Sequence, residues 1–240
     1  MKANISVMLI SIALLTGCGT TGKFVYPANM STMFKAGDNI NAEKTVAILP
    51  FDDFRSAENS DCFTAYMIPL LPYGWAEYER PEAALRFLTV GHYDITPAED
   101  LAKATSLSLR RSGLFRDAFF TMGADKDKAD FVWSGRIKVL RYDGKMFSYC
   151  LSIVGPLLWD IALPLGVSEN TLAVEFKLKD KAGNLVWEYS AERSASVTQG
   201  LYYRSGHDCR AFATMYQSIM NDALSNLSNA MISKHLNSGS

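Results

Sequence analysis

Apolar and polar positions alternate along this chain in two periods, separated by stretches that keep neither. After Lys2, an apolar run from Ile5 to Leu15 is too short for a comfortable bilayer span. Residues 19–43 carry Gly, Thr, Ser and Asn with little periodicity and read as a flexible tether. Lys44-Thr45-Val46-Ala47-Ile48-Leu49-Pro50-Phe51 is a β-rich apolar run stopped by Pro50, which suits a buried central strand. Residues 62–81 mix aromatics and aliphatics with prolines, and Pro69 and Pro72 forbid a long helix. A further short strand is expected over 85–91. Thr96-Pro97-Ala98-Glu99 is a helix start, with Thr96 to cap, Pro97 at the first turn and Glu99 to complete a capping box. Arg110 and Arg111 suit the C-terminal end of that helix's dipole, and Gly113 suits its stop.

Residues 115–122 contain a strand and 124–128 a turn. Residues 131–140 alternate, placing Phe131, Trp133, Ile137 and Val139 on one face and Arg136 and Lys138 on the other. Residues 149–167 are strongly apolar but broken by Gly155-Pro156, Asp160, Pro164 and Gly166. Residues 172–179 and 185–190 alternate about a turn with Gly183 and predict a hairpin. From Cys209 to Leu236 the apolar positions recur at helical spacing. The expected architecture is therefore α/β (α+β): one domain over 44–236 with a mainly antiparallel sheet, one βαβ unit, and covering helices near 96–112 and 209–235. If the strand at 44–51, the first helix and the strand near 118 make the βαβ unit, the strand at 131–140 is expected antiparallel to the first. The 149–167 insertion would then lie where the first strand starts, on the tether side. Leu157, Leu158 and Trp159 would approach a membrane or an anchored neighbour.

Composition narrows this picture. A chain of 240 residues with 48% hydrophobic and 20% charged residues is globular. A net charge of −1 gives no general attraction for nucleic acid. No CxxC or His/Cys spacing suggests a metal site, and no cofactor fingerprint is present.

The N-terminus changes the picture most. Lys2, the apolar run and the tetrapeptide Leu15-Thr16-Gly17-Cys18 read together as an export signal over residues 1–17. The tetrapeptide resembles the lipobox of bacterial lipoproteins. That resemblance implies a diacylglyceryl group on the Cys18 thiol, cleavage before Cys18 and acylation of the new amine. Several acyl chains at roughly 0.8 kcal/mol per buried CH2 would make the membrane attachment nearly permanent. Gly19, which is not Asp, by the same resemblance favours the periplasmic face of an outer membrane. With Cys18 acylated, Cys62, Cys150 and Cys209 leave room for at most one disulfide. Cys62–Cys209 is favoured, since both follow an Asp in polar sequence, with Cys150 as a buried thiol.

The opening strand Val46 to Phe51, the helix end Leu109-Arg110-Arg111-Ser112-Gly113-Leu114-Phe115, the stretch Ala129 to Ile137, and the hairpin Val174 to Trp187 carry a second resemblance. Over roughly 44–230 the chain is similar to small periplasmic α/β lipoproteins related to the curli-export lipoprotein, the lipoprotein activators of penicillin-binding proteins and the N-terminal domain of the Tol translocation protein. The two insertions, 62–81 and 149–167, are not part of that pattern. The resemblance implies a binding or assembly module rather than an enzyme, working with an envelope protein or a second copy of itself.

Candidate chemistry is sparse. His207-Asp208-Cys209 lines up a base, an acid and a nucleophile, but adjacent residues do not generally converge on one point. Asp52-Asp53 is a carboxylate pair at a strand end. A lipid-anchored hydrolase would use one of these. A carrier of lipid or glycan fragments would use the insertions to wall an apolar pocket. A binding module would expose them, with Tyr73, Trp75, Leu157, Leu158 and Trp159 as contact candidates. Segment 62–81 is either a loop folded onto the core or a partner-contacting surface; segment 149–167 is core cover, a membrane-dipping loop or a docking surface.

Overall fold

A computed structural model describes residues 20–37 and 41–238; side chains at 41, 42 and 234–238 are outside that description. The export signal and Cys18 lie outside the described residues. In chain order the elements are β1 (Thr21–Lys23), β2 (Asn41–Ile48), β3 (Asp52–Asp53), β4 (Asn59–Cys62), β5 (Tyr73–Tyr78), β6 (His92–Asp94), α1 (Pro97–Ser112), β7 (Phe115–Phe120), β8 (Phe131–Phe147), β9 (Gly166–Asp180), β10 (Leu185–Gln199) and α2 (His207–Ser238).

The long strand β8 is the spine of the sheet. On one side it pairs antiparallel with β9, which pairs antiparallel with β10. On its other side three partners follow one another: β2, then β3, then β5. The order is β10-β9-β8-β2-β7, with β4 beyond β5. The fold is α/β with a mainly antiparallel sheet and one βαβ unit, β2-α1-β7, whose two strands pair in parallel. Helices α1 and α2 share one face of the sheet. There Trp133 lies between Phe176 and Trp187, at ring separations of 5.3 and 5.1 Å. The Tyr216 hydroxyl donates to the Leu101 carbonyl at 2.9 Å and so ties α2 to α1. The opposite face is polar: Lys138 and Lys177 reach Glu175 at 2.6 and 3.0 Å.

Several expectations are corrected. β8 runs parallel, not antiparallel, to β2. The βαβ unit fills one edge of β2 with β7, and β8 takes the other edge in the same direction. Residues 149–167 therefore leave the sheet at the end where β2 finishes. A bulge between Ile137 and Val139 shifts the alternation by one residue. Beyond it Leu140, Tyr142 and Met146 continue the buried face, and Val139 leaves the face it was expected to share with Trp133. Residues 85–91 form no strand; Phe87, Leu88 and Val90 are buried from an irregular segment, and the short strand follows as β6. At the start of α1 the Thr96 side chain makes no cap bond, and the Asp100 carboxylate, not Glu99, accepts the Thr96 N–H at 2.7 Å. Glu99 instead takes an ion pair with Lys103 at 2.8 Å. Gly113 ends the helix in the left-handed region at φ 74°.

The largest correction concerns the tether. Residues 20–37 are a strap bound to the domain. β1 pairs in parallel with β6. The Tyr26 hydroxyl bonds the Ser108 hydroxyl, and its ring meets Tyr216 edge-on at 5.8 Å. Gln217 accepts the Asn29 N–H at 2.8 Å, and Asn221 accepts the Phe34 N–H at 2.9 Å. The strap carries Phe24, Tyr26 and Phe34 without strand or helix periodicity, because beyond the short β1–β6 pair it crosses two helices instead of joining the main sheet.

Candidate functional site

The two apolar insertions meet at one end of the sheet, where β5 begins, β8 ends, β9 begins and β10 ends. Residues 62–81 do not stay a loop: β5 joins the sheet, and a 3-10 helix, Phe63–Met67, turns back before it. Residues 149–167 form a 3-10 helix, Ser152–Ile161, that lies against the first. Tyr66 and Trp159 fill the space between them at a ring separation of 6.1 Å. The Ser148 amide and hydroxyl donate to the Pro72 and Leu71 carbonyls at 2.9 and 2.5 Å, and the Ser152 hydroxyl donates to Met67. These bonds hold a costly backbone. Leu70, Tyr149, Cys150, Ser152 and Ala162 all take positive φ between 53° and 69°, a conformation that costs roughly 1 kcal/mol or more for a residue with a Cβ. Gly155 is required at its position, since a Cβ there would come within 2.2 Å of the Ser148 carbonyl oxygen.

The result is a rigid platform with an apolar outer surface. Leu70 is 81% exposed, Ile153 71%, Ile161 70% and Leu157 62%. Exposed apolar side chains gathered on one segment make it the candidate interaction surface. Leu157 is among these exposed residues. Leu158 is half-buried, and Trp159 is buried, donating its Nε1–H to the Phe147 carbonyl at 3.1 Å. Tyr73 and Trp75 belong to β5 and point away from the helix-covered face; Trp75 is exposed, and Tyr73 lies under the Lys145 ammonium at 5.5 Å. Ile153, Ile161 and Leu70 were missed as individual residues, although the charge-free run from Leu151 to Trp159 was a visible signal.

The candidates for chemistry do not converge. Asp53 takes two bonds from the fully buried Arg55 side chain, at 2.9 Å each, and one from Arg80 at 2.9 Å. Partial burial works against ionisation of Asp53, but the Arg55 and Arg80 partners hold its carboxyl below the ordinary value. Arg55 also bonds Glu82, so Asp53 belongs to a structural clamp, whereas Asp52 is exposed. His207, Asp208 and Cys209 open α2 and diverge. His207 faces solvent, and Asp208 turns inward to accept from the Tyr142 hydroxyl at 3.2 Å and the Cys209 N–H at 2.9 Å. Burial raises the Asp208 carboxyl and the Cys209 thiol above their ordinary values. Cys209 backs onto Gly22 of β1, its Sγ 3.2 Å from where a Cβ would stand. The expected Cys62–Cys209 disulfide is absent and the burial pattern is inverted: all three cysteines are free thiols, with Cys209 buried and Cys150 exposed on the platform turn.

No family model matches this chain, and no curated protein matches it. Solved structures do. A Xanthomonas campestris protein of the DUF330 family overlaps it at TM-score 0.44 and 9% identity, over 92% of this chain and 99% of its own. The PelC dodecamer from Paraburkholderia phytofirmans overlaps at TM-score 0.35 and 15% identity, over 77% of this chain and 93% of its own. A single-substitution variant of that dodecamer gives TM-score 0.35 and 15% identity over 78% and 92%. At these TM-scores none of the three bears on activity or partner.

One further surface borders the platform end. Arg204, His207 and Arg210 line an open groove of about 380 Å³ between β10 and the first turns of α2, floored by Ala195, Val197 and Ala211. No carboxylate lies within ion-pair distance of Arg204 or Arg210 among the described residues. Among those residues no group of three or more His, Cys, Asp or Glu side chains could hold a metal ion, and no helix is long and apolar enough to cross a membrane.

Proposed function

We propose that this protein is a lipid-anchored module of a bacterial cell envelope, acylated at Cys18, resident on the periplasmic face of the outer membrane, and acting by binding or assembly, not by catalysis. The observation that carries this reading is the platform. The chain maintains five strained residues and a required glycine to hold apolar side chains out into solvent, while Asp53 serves a structural clamp, Asp208 and Cys209 serve the core, and Asp52 and His207 stand apart from them at the surface. A pocket walled by the insertions, as a carrier of lipid or glycan fragments would need, is not favoured, because Tyr66 and Trp159 occupy the space between them.

The test is the fate of the N-terminus. The mature protein is expected to begin at an acylated Cys18 and to sediment with membranes. Cys18→Ala is expected to move most of the protein, about tenfold or more by fraction, into the soluble periplasmic extract or to leave an uncut precursor. Wild-type protein found unacylated and soluble would refute the proposal.

A further inference from the structure

The platform and the start of the strap occupy the same end of the molecule. The Thr20 carbonyl accepts from the Gly91 amide at 2.9 Å, and the Thr20 hydroxyl donates to the Thr89 carbonyl at 3.2 Å. The Thr89 hydroxyl bonds the Gln199 side chain at 2.8 Å, and the Gln199 carbonyl accepts the Leu165 amide at 2.8 Å. Leu165 in turn accepts the Phe147 amide at 2.9 Å, and the Phe147 carbonyl holds Trp159. Five short links therefore join the strap's first described residue to the centre of the platform. Cys18 precedes Thr20 by two residues, a span of at most about 7 Å. Acyl chains on Cys18 cannot enter a bilayer unless this end of the domain is brought against it.

Charge agrees with that orientation. The segment 151–163 contains one ionisable residue, Asp160. Leu201 and Tyr202, in the loop after β10, add exposed apolar surface at the same end. The groove beside that loop presents Arg204, His207 and Arg210, two of them arginines without a carboxylate partner among the described residues. Apolar side chains flanked by unneutralised cations are the composition of surfaces that settle at the boundary between headgroups and acyl chains.

We infer that the platform is a second, non-covalent membrane contact: Leu70, Ile153, Leu157 and Ile161 enter the headgroup–acyl boundary of the leaflet that holds Cys18, with Arg204 and Arg210 on lipid phosphates. This rests on the Cys18 anchor proposed above. It fixes orientation: β8 rises away from the bilayer, and the β9–β10 turn at 181–184 becomes the far tip.

The experiment uses the full-length lipoprotein, purified and reconstituted into vesicles of phosphatidylethanolamine and phosphatidylglycerol. The photoreactive residue p-benzoylphenylalanine replaces Ile153, Leu157 or, as the far-tip control, Ala182. Phospholipid adducts are expected at 153 and 157, at least tenfold above position 182. Arg204→Glu with Arg210→Glu is expected to cut the adduct yield at 157 severalfold, while circular dichroism stays unchanged. The mass of the N-terminal peptide reads the anchor separately. A chain acylated at Cys18 that yields only adducts to a second copy or to another protein at 157, or no adduct, overturns the platform's role and leaves the anchor standing. A chain without acyl groups overturns both, because Cys18 is what brings this end to the bilayer.

Discussion

Single residues set the chemistry of both faces of the sheet. On the polar face Lys138, then Lys177, donate to Glu175 and hold its carboxyl at about 2, against an ordinary value of 4.5. A carboxylate lowered on folding stabilises the native state above its unfolded pKa and loses that contribution as the pH falls through its folded one. The wild-type melting temperature should therefore drop on acidification between about pH 4.5 and pH 2. Glu175→Gln should start lower at neutral pH and fall less across that window, as read by thermal unfolding in matched buffers. An equal slope in both proteins would place the acid sensitivity elsewhere. The polar faces were legible beforehand, their pairing was not. The nearly strict alternation of 172–179 put Glu175 and Lys177 on one face, and that of 131–140 put Lys138 on a polar face, but only the β8–β9 register, with Arg136 opposite Glu175, brings them together. The bulge between Ile137 and Val139 defeated the assignment of Val139. One inserted residue leaves no mark in a pattern made of aromatic and β-branched side chains, so phase beyond residue 138 could not be read from phase before it.

At the scale of elements, the sequence spoke clearly wherever one period ran long enough. The hairpin β9–β10, the helix α1 with Gly113 behind it, and α2 follow their patterns to within a few residues at most boundaries. It spoke poorly where a segment is held by single hydrogen bonds. The platform has no period; its order comes from Ser148, Ser152 and a close backbone approach at Gly155. Gly155→Ala should force the 3-10 helix off Ser148 at a cost of about 2 kcal/mol, or about 4–8 °C in melting temperature. Acrylamide should then quench tryptophan fluorescence more strongly as Trp159 is uncovered, with far-UV helix content unchanged. Unaltered quenching would mean that the platform tolerates a Cβ there.

Across the whole molecule, the strap ties the first described residues to the last helix. Residues 20–37 read as a tether because a segment that crosses helices obeys neither period, and because its partners Gln217 and Asn221 lie nearly 190 residues away. Gln217 bonds Asn29 through both side-chain atoms, at 2.8 and 2.5 Å. Removing it with Gln217→Ala should cost about 1–3 kcal/mol of local stability. Amide hydrogen exchange over 20–37 should accelerate about tenfold or more, while exchange in β8 and β9 holds constant. Equal acceleration everywhere would show that the strap melts only with the whole. The distance along the chain has a temporal side as well. Because the clasp on residues 29–34 is built from residues 217 and 221, it cannot close until nearly all of the polypeptide has been made and folded. Under the lipoprotein reading proposed above, the interval before the clasp closes is the one in which enzymes that trim a leader at residue 17 would act. Ordering of the strap thus becomes a late sign that the body behind it is complete.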